Sequence, residues 1–286
     1  SGFIGIDSGA SSNRWFIDDN NGRGDIRMGG NNITGSFTVG NRELKYNQNT
    51  WQHVVVTDDD SGSATRVYVD GQLVGTSNNS FDYAGLPTSG VLRLATGRHG
   101  TGYRYMNGDL DDFGIWNVSL AEPQVKALYN VGTHRVLGYD LGKAQELFDL
   151  HAAGEGSVML DGRQWTYATG LSTDPANLGR VVGANGRYTI ALDPAGNGVV
   201  ARNNLVAYWN FNQSEGTTLQ AVVGGYDGTF AGDWPGDGSE WVAGRDGLGS
   251  ALNFKGGWVD MGNLPDDNPM NTDGSLTIAA WIKPES

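Results

Sequence analysis

The segment Arg66-Val-Tyr-Val-Asp-Gly-Gln-Leu-Val-Gly75 decides the fold. Two apolar-bearing runs flank Asp70-Gly71, and a two-residue connection between paired strands requires positive φ at both turn positions, which aspartate tolerates and glycine adopts freely. A tight β-hairpin follows, with Thr65-Arg-Val-Tyr-Val69 going out and Gln72-Leu-Val-Gly75 returning. Upstream, Trp51-Gln-His-Val-Val-Val-Thr57 has the pattern of a short buried strand that ends in the acidic turn Asp58-Asp-Asp-Ser-Gly62. Downstream, Val91-Leu-Arg-Leu-Ala95 and Gly108-Asp-Leu-Asp-Asp-Phe-Gly-Ile-Trp116 read as further strands. Ser119-Leu-Ala-Glu122 then spells a capping box, in which the serine hydroxyl and the glutamate carboxylate satisfy free amides at a helix start. The helix ends near Asn130. Its stripe of Leu120, Val125, Leu128 and Tyr129 predicts packing on the edge of a sandwich.

Composition agrees with many short strands. The 286 residues include 45 glycines, 8 prolines, 9 tryptophans and 11 tyrosines, which points to an all-β protein rather than a helical bundle. With no cysteine there is no disulfide framework, thiolate metal site or cysteine nucleophile. The net charge of −13 repels nucleic acid and anionic membrane and makes divalent cations the more natural companions. Acidity that serves solubility alone is the alternative. No run reaches the roughly 20 apolar residues that span a bilayer, so membrane insertion is not expected. The first residues, from Ser1 to Ser12, lack the basic and apolar regions of a targeting signal.

The texture divides the chain in three. Residues 1–131 are alternating strands closed by a helix. Residues 132–204 read as a small α+β domain, with a helix over 141–150 capped by Asp140 and short strands near 157–160, 164–167 and 187–192. Strand texture returns over 205–286, ending in Ser275-Leu-Thr-Ile-Ala-Ala-Trp-Ile282, where Leu276, Ile278, Ala280 and Ile282 fall on one face.

Two sets of motifs resemble the bacterial laminin-G-like family of the concanavalin A-like lectin/glucanase superfamily. One set is Leu205-Val-Ala-Tyr-Trp-Asn-Phe211, Tyr226-Asp-Gly-Thr229, Gly249-Ser-Ala-Leu-Asn-Phe254 and Leu276-Thr-Ile-Ala-Ala-Trp-Ile-Lys-Pro284. The other is Thr50-Trp-Gln-His-Val-Val-Val-Thr57, the hairpin, and Asn107-Gly-Asp-Leu-Asp-Asp-Phe-Gly-Ile-Trp-Asn117. The resemblance implies a jelly-roll β-sandwich whose C-terminal half is residues 1–131 and whose N-terminal half is residues 205–286, in permuted order. The two halves belong either to one sandwich or to successive sandwiches of a tandem array. Residues 132–204 lie outside the resemblance.

Catalysis is not expected. A retaining glycosidase needs two carboxylates about 5 to 5.5 Å apart, and the nearest stretch, Asp109-Leu-Asp-Asp112, has no glutamate. His53, His99, His134 and His151 lack metal-ligand spacing, and His53 reads as structural. The resemblance implies a metal-linked or turn-stabilising role for Asp111, with Asp109, Asp112 and Asp227 as neighbours for a structural Ca2+, although Asn212-Gln213 and Ala221-Val222 replace acidic residues common in the family. The alternative is that Asp111 accepts backbone amides at a strand end. Trp15, Tyr103, Tyr105 and Trp234 are the candidate carbohydrate platforms, set against ordinary packing. Arg23-Gly24-Asp25 has the form of an integrin-binding loop and is expected by chance in so glycine- and aspartate-rich a chain. Asn32, Asn78, Asn117 and Asn212 begin glycosylation sequons.

These features predict a non-catalytic, secreted or cell-surface structural and adhesive protein. One repeat of a longer tandem array or filament, touching neighbouring copies head-to-tail, is the leading form. A carbohydrate-binding, lectin-like module that engages glycans is the rival.

Overall fold

A computed structural model describes residues 2–7, 14–18, 26–30, 37–39, 49–59, 64–78, 91–96, 105–130, 157–160, 163–166, 180–182, 189–191, 205–221, 224–245, 249–263 and 275–285. The first strands are β1 (Gly2–Asp7), β2 (Arg14–Asp18), β3 (Ile26–Gly30), β4 (Phe37–Val39), β5 (Gln52–Asp59), β6 (Ala64–Val69), β7 (Gln72–Ser77), β8 (Val91–Leu94) and β9 (Asn107–Trp116), followed by helix α1 (Glu122–Asn130). Then come β10 (Ser157–Leu160), β11 (Arg163–Thr166), β12 (Arg180–Val182) and β13 (Thr189–Ala191). The last group is β14 (Leu205–Trp209), β15 (Thr218–Leu219), β16 (Gly228–Gly232), β17 (Trp241–Ala243), β18 (Ser250–Lys255), β19 (Gly257–Asn263) and β20 (Ser275–Pro284).

Two large antiparallel sheets form. One runs β15-β16-β19-β8-β1-β2-β3-β4, the other β17-β18-β9-β20-β5-β6-β7, and β14 also lies against β9. Strands from 205–286 are interleaved with those from 2–131: β19 lies beside β8, and β20 lies between β5 and β9. In the middle region β10 pairs with β11 and β12 with β13. The expected helix at 141–150 falls outside the described residues.

The turn that decides the fold has the required backbone. Asp70 has φ 49° and Gly71 has φ 73°, and Val69 pairs with Gln72 across them. Asp70 also ties the hairpin to β5: its Oδ1 accepts the His53 N–H at 2.8 Å, and its own N–H donates to the His53 carbonyl at 2.8 Å.

Pleat alternation fills the core from both sheets. Leu92, Leu94 and Val259 of one sheet join Val54, Val67 and Ile115 of the other in one cluster, with Trp209 and Phe254 fully buried among them. Each such side chain contributes about 1.5–3 kcal/mol by leaving water. Leu276, Ile278, Ala280 and Ile282 all join this core, as their alternation predicts. The residues between them are buried too: Thr277 is 0 %, Ala279 3 % and Trp281 5 % exposed. The outer face of this sheet is therefore covered along β20.

Helix α1 supplies part of the cover. Val125 and Leu128 are buried, Tyr129 stacks 5.8 Å from Trp281 and 6.1 Å from His53, and the Leu120 N–H donates to Thr277 Oγ1 at 2.9 Å. The helix thus packs on the face of the sheet rather than its edge. Its N-terminus also differs from the expected box. The side chain that reaches back is Gln124, whose Oε1 accepts the Ala121 N–H at 2.8 Å, so the working cap lies two residues past Ser119 and Glu122. Glu122 instead pairs with Lys126 one turn on, at 2.5 Å. Pro123, with no N–H to lose, suits the first turn there.

Candidate functional site

Strand β9 brings Asp109, Asp111 and Asp112 close together, and an irregularity distributes their side chains. Opposite β20, Gly114 pairs with Ala279 and Asp111 with Trp281, so β9 carries one extra residue between those pairs. Asp112, at φ 51°, lies in this bulge. The opposite edge of β9 is shared at the same place: β18 pairs with it up to Leu110, and β14 pairs with it from Phe113 onward.

Each of these carboxylates is built into the sheet. Asp109 accepts from Asn253 Nδ2 at 2.5 Å and from Lys283 Nζ at 2.9 Å. Asp111 Oδ2 accepts the backbone N–H of Arg245 at 3.3 Å, and Asp112 accepts the Tyr208 hydroxyl. Burial pushes Asp111 well above the ordinary carboxylate range, against the opposing pull of the Arg245 amide and guanidinium. Burial also raises Tyr208 well above its usual value, and the Asp111 charge adds to this. Asp227 lies elsewhere, exposed in the elbow before β16, where its Oδ1 accepts the Ala221 N–H at 2.8 Å. Among the described residues, no group of three or more His, Asp or Glu side chains is arranged to hold a metal ion. The carboxylates expected as cation ligands face amides, an ammonium and a phenol.

Beside Asp111 the outer face of the sheet becomes aromatic. The Arg245 guanidinium lies 3.8 Å from the centre of the Trp281 ring, and His53 packs against that ring at 4.9 Å. His53 is 4 % exposed, and burial lowers its pKa to about 3, with a further push from the Arg245 charge. It is a neutral packing residue at physiological pH, and its backbone anchors the hairpin.

A different surface gathers on the outer side of β8 and β19. Tyr105, bridged to Thr96, stacks on Trp258 with centroids 5.6 Å apart and planes 16° from parallel. Two residues along β19, Asp260 Oδ2 meets Arg93 Nε at 3.4 Å, and Asp260 Oδ1 accepts the Gly262 N–H at 2.8 Å. Arg93 and Asp260 are direct partners across the strand pair. Tyr105, Trp258, Arg93 and Asp260 are all half-buried.

Residues 2–126 match the laminin-G-type family described as the concanavalin A-like lectin/glucanases superfamily. No curated protein and no solved structure matches the chain.

Within this β-sandwich, the expected carbohydrate platforms fare differently. Tyr105 joins the aromatic face just described. Trp234 packs inward: it stacks on Phe230 at 4.4 Å, meets Phe254 edge-on at 5.1 Å, and its indole N–H is held by the carbonyls of Ala231 and Trp258 at 2.7 and 3.1 Å. The backbone of Trp15 lies in β2, opposite Ile6 and Gly30, while its side chain lies outside the described residues, as do Tyr103 and Arg23-Gly24-Asp25. Of the sequons, Asn78 and Asn117 are exposed. Asn212 is turned inward, its Oδ1 accepting the Ser250 N–H at 3.2 Å and its Nδ2 buried, so it is no acceptor in the folded domain. Asn32 lies outside the described residues.

Sequence reading missed Arg245, Tyr208, Arg93, Trp258 and Asp260 as members of these clusters. For three of them a signal exists. Arg93 alternates with Leu92 and Leu94, and Trp258 and Asp260 alternate with Val259 and Met261, so the pleat sends them to the face opposite the core. The pairing of β8 with β19, which joins the three on one surface, has no local signature.

Proposed function

We propose that the chain is a non-catalytic adhesive module of a secreted or cell-surface protein, which holds its targets on a preformed surface and does no chemistry on them. The observation that carries this reading is the engagement of its buried carboxylates. Asp58 accepts from Thr65, and Asp109, Asp111 and Asp112 brace β18, the Arg245 segment and β14. Glycoside hydrolysis asks instead for two carboxyl groups facing one cleft, one of them ready to give a proton to substrate. The test is incubation of the full chain with laminarin, carboxymethyl cellulose and xylan, with release of reducing ends as readout. No release, together with retention on one or more of the immobilised polysaccharides, supports the module. Turnover that disappears in Asp109→Asn or Asp111→Asn overturns it.

A second reading is favoured by the interleaving of β20 between β5 and β9. Pairings made within one chain are equally available between consecutive copies, so the same unit is suited to a head-to-tail array. Sedimentation velocity across a hundredfold concentration range tests this. Growth into extended species supports the array, and a single monomer boundary throughout removes it.

A further inference from the structure

Asn253, Asp109 and Lys283 stand in one row across three strands. Asn253 of β18 and Lys283 of β20 are the direct partners of Asp109 on either side of β9. The adjoining row, Leu252, Leu110 and Ile282, joins the core, so the pleat turns these three polar side chains together onto the opposite face. Both oxygens of Asp109 are engaged: Oδ2 accepts from Lys283 Nζ at 2.9 Å, and Oδ1 accepts from Asn253 Nδ2 at 2.5 Å. Glu285 Oε1 also accepts from Asn253 Nδ2, at 3.1 Å. The side chain of Asp109 is 4 % exposed and that of Lys283 30 %, and the Trp51 ring centre lies 6.0 Å from Nζ. The backbones approach as closely as the side chains. Gly108 leaves room for β20 where a Cβ would lie 2.3 Å from the Lys283 carbonyl oxygen, and the Glu285 N–H donates to the Asn107 carbonyl at 2.9 Å.

An amine held against a buried carboxyl group is the reactant arrangement for an amide. Nζ lies within about 4 Å of Cγ, one C–O bond past the oxygen it contacts, close to the roughly 3–3.5 Å of a near-attack geometry. The flexible Lys283 stem can close that gap. The ammonium first passes a proton along its hydrogen bond to Oδ2, which leaves a neutral amine and a carboxylic acid. The amine nitrogen then bonds to Cγ, and negative charge gathers on Oδ1, where the Asn253 N–H stabilises it. A second proton moves from nitrogen to Oδ2, the Cγ–Oδ2 bond breaks, and one water leaves. A positive and a negative charge vanish in the step, and a buried site favours the neutral amide over the ion pair. The geometry points to a self-formed amide cross-link between Lys283 Nζ and Asp109 Cγ, with Asn253 as its oxyanion donor. The bond joins β9 to β20 across 174 residues of sequence, bracing the two interleaved regions of a chain that has no cysteine for a disulfide. This inference goes beyond the adhesive reading and does not depend on it.

The test is the intact mass of the full chain, followed by tandem mass spectrometry of its proteolytic fragments. A mass about 18 Da below that of the sequence is expected, the loss of one water, with the fragment holding Asp109 joined to the fragment holding Lys283. Lys283→Arg keeps the ion pair but forms no such amide, so it is expected to show the full mass and a lower urea midpoint. Asn253→Ala is expected to slow bond formation about tenfold or more, read as the fraction joined at fixed times after cell-free synthesis. Full mass in the unaltered chain after prolonged incubation overturns the proposal. So does a deficit that persists in Lys283→Arg, which would be dehydration elsewhere. A deficit of about 17 Da, with Lys283 joined to Asn253 and ammonia lost, overturns the assignment to Asp109. An unchanged rate in Asn253→Ala overturns the role given to that amide.

Discussion

The Arg245 guanidinium lies 3.8 Å from the centre of the Trp281 ring, which it covers from outside the sheet. The contact joins the segment before β18 to the strand β20, and the backbone N–H of the same arginine donates to Asp111. One residue thus seals the place where β14 and β18 share an edge of β9. Arg245→Ala is expected to cost about 2 kcal/mol through lost packing and cation–π attraction. It should also raise the His53 pKa, because the arginine charge helps to depress it. Urea unfolding and NMR titration of the imidazole read the two effects.

His53 makes stability depend on pH. Its folded pKa is about 3 against 6.5 for the free group. Below pH 6.5 the unfolded chain takes up a proton that the folded chain refuses, so stability falls as pH drops from 6.5 through 3. The slope approaches about 1.4 kcal/mol per pH unit over that window. His53→Phe keeps an aromatic ring beside Trp281 and removes the titration, and its urea midpoint is expected to vary less between neutral and mildly acidic pH than that of the unaltered chain.

Gly108 has φ 138°, and a Cβ at that position would lie 2.3 Å from the carbonyl oxygen of Lys283. The obstacle is backbone in a paired strand and cannot turn aside. Gly108→Ala is expected to lose about 3 kcal/mol or more, measured as a lower urea midpoint, whereas Gly225→Ala, with open space around its Cβ position, costs only the strain of its φ of 71°.

Tyr208→Phe removes the hydroxyl donated to Asp112, a carboxylate only 8 % exposed. The expected loss is about 1–3 kcal/mol. A double-mutant cycle with Asp112→Asn measures the coupling, and additivity within error would mean that the two groups do not support each other.

Leu73 is 43 % exposed on β7, the last strand of its sheet. An apolar side chain on a sheet edge favours contact between molecules. Leu73→Lys is expected to slow aggregation on heating, followed by light scattering, with a change in unfolding midpoint equivalent to less than about 0.5 kcal/mol.

Much of the fold was legible because its signals are local. Asp70-Gly71 specified a hairpin since few residues accept positive φ twice in succession, and Leu276, Ile278, Ala280 and Ile282 showed their core face since strand side chains alternate. The motif sets resembling the laminin-G-like family lie in the two regions whose strands interleave in both sheets. The residues around each site were less legible. Asp109, Asp111 and Asp112 stand in the sequence as three carboxylates side by side, without the partners that the bulge and the split edge of β9 bring to them. Trp234 read as a platform because its neighbours in sequence are polar, while its neighbours in space are Phe230 and Phe254.

By itself, then, the sequence determined the all-β class, the hairpin, the strand faces and the stripe of α1, all of which depend on residues a few positions apart. Tertiary structure alone decided which strands distant in sequence became neighbours, and with them the Arg245–Trp281 contact, the engagement of the β9 carboxylates and the joining of Tyr105, Trp258, Asp260 and Arg93 on one surface. The physical reason is that pleat and turn geometry are set by adjacent residues, whereas a cluster is set by strand order, which depends on how two whole sheets bury their apolar faces together.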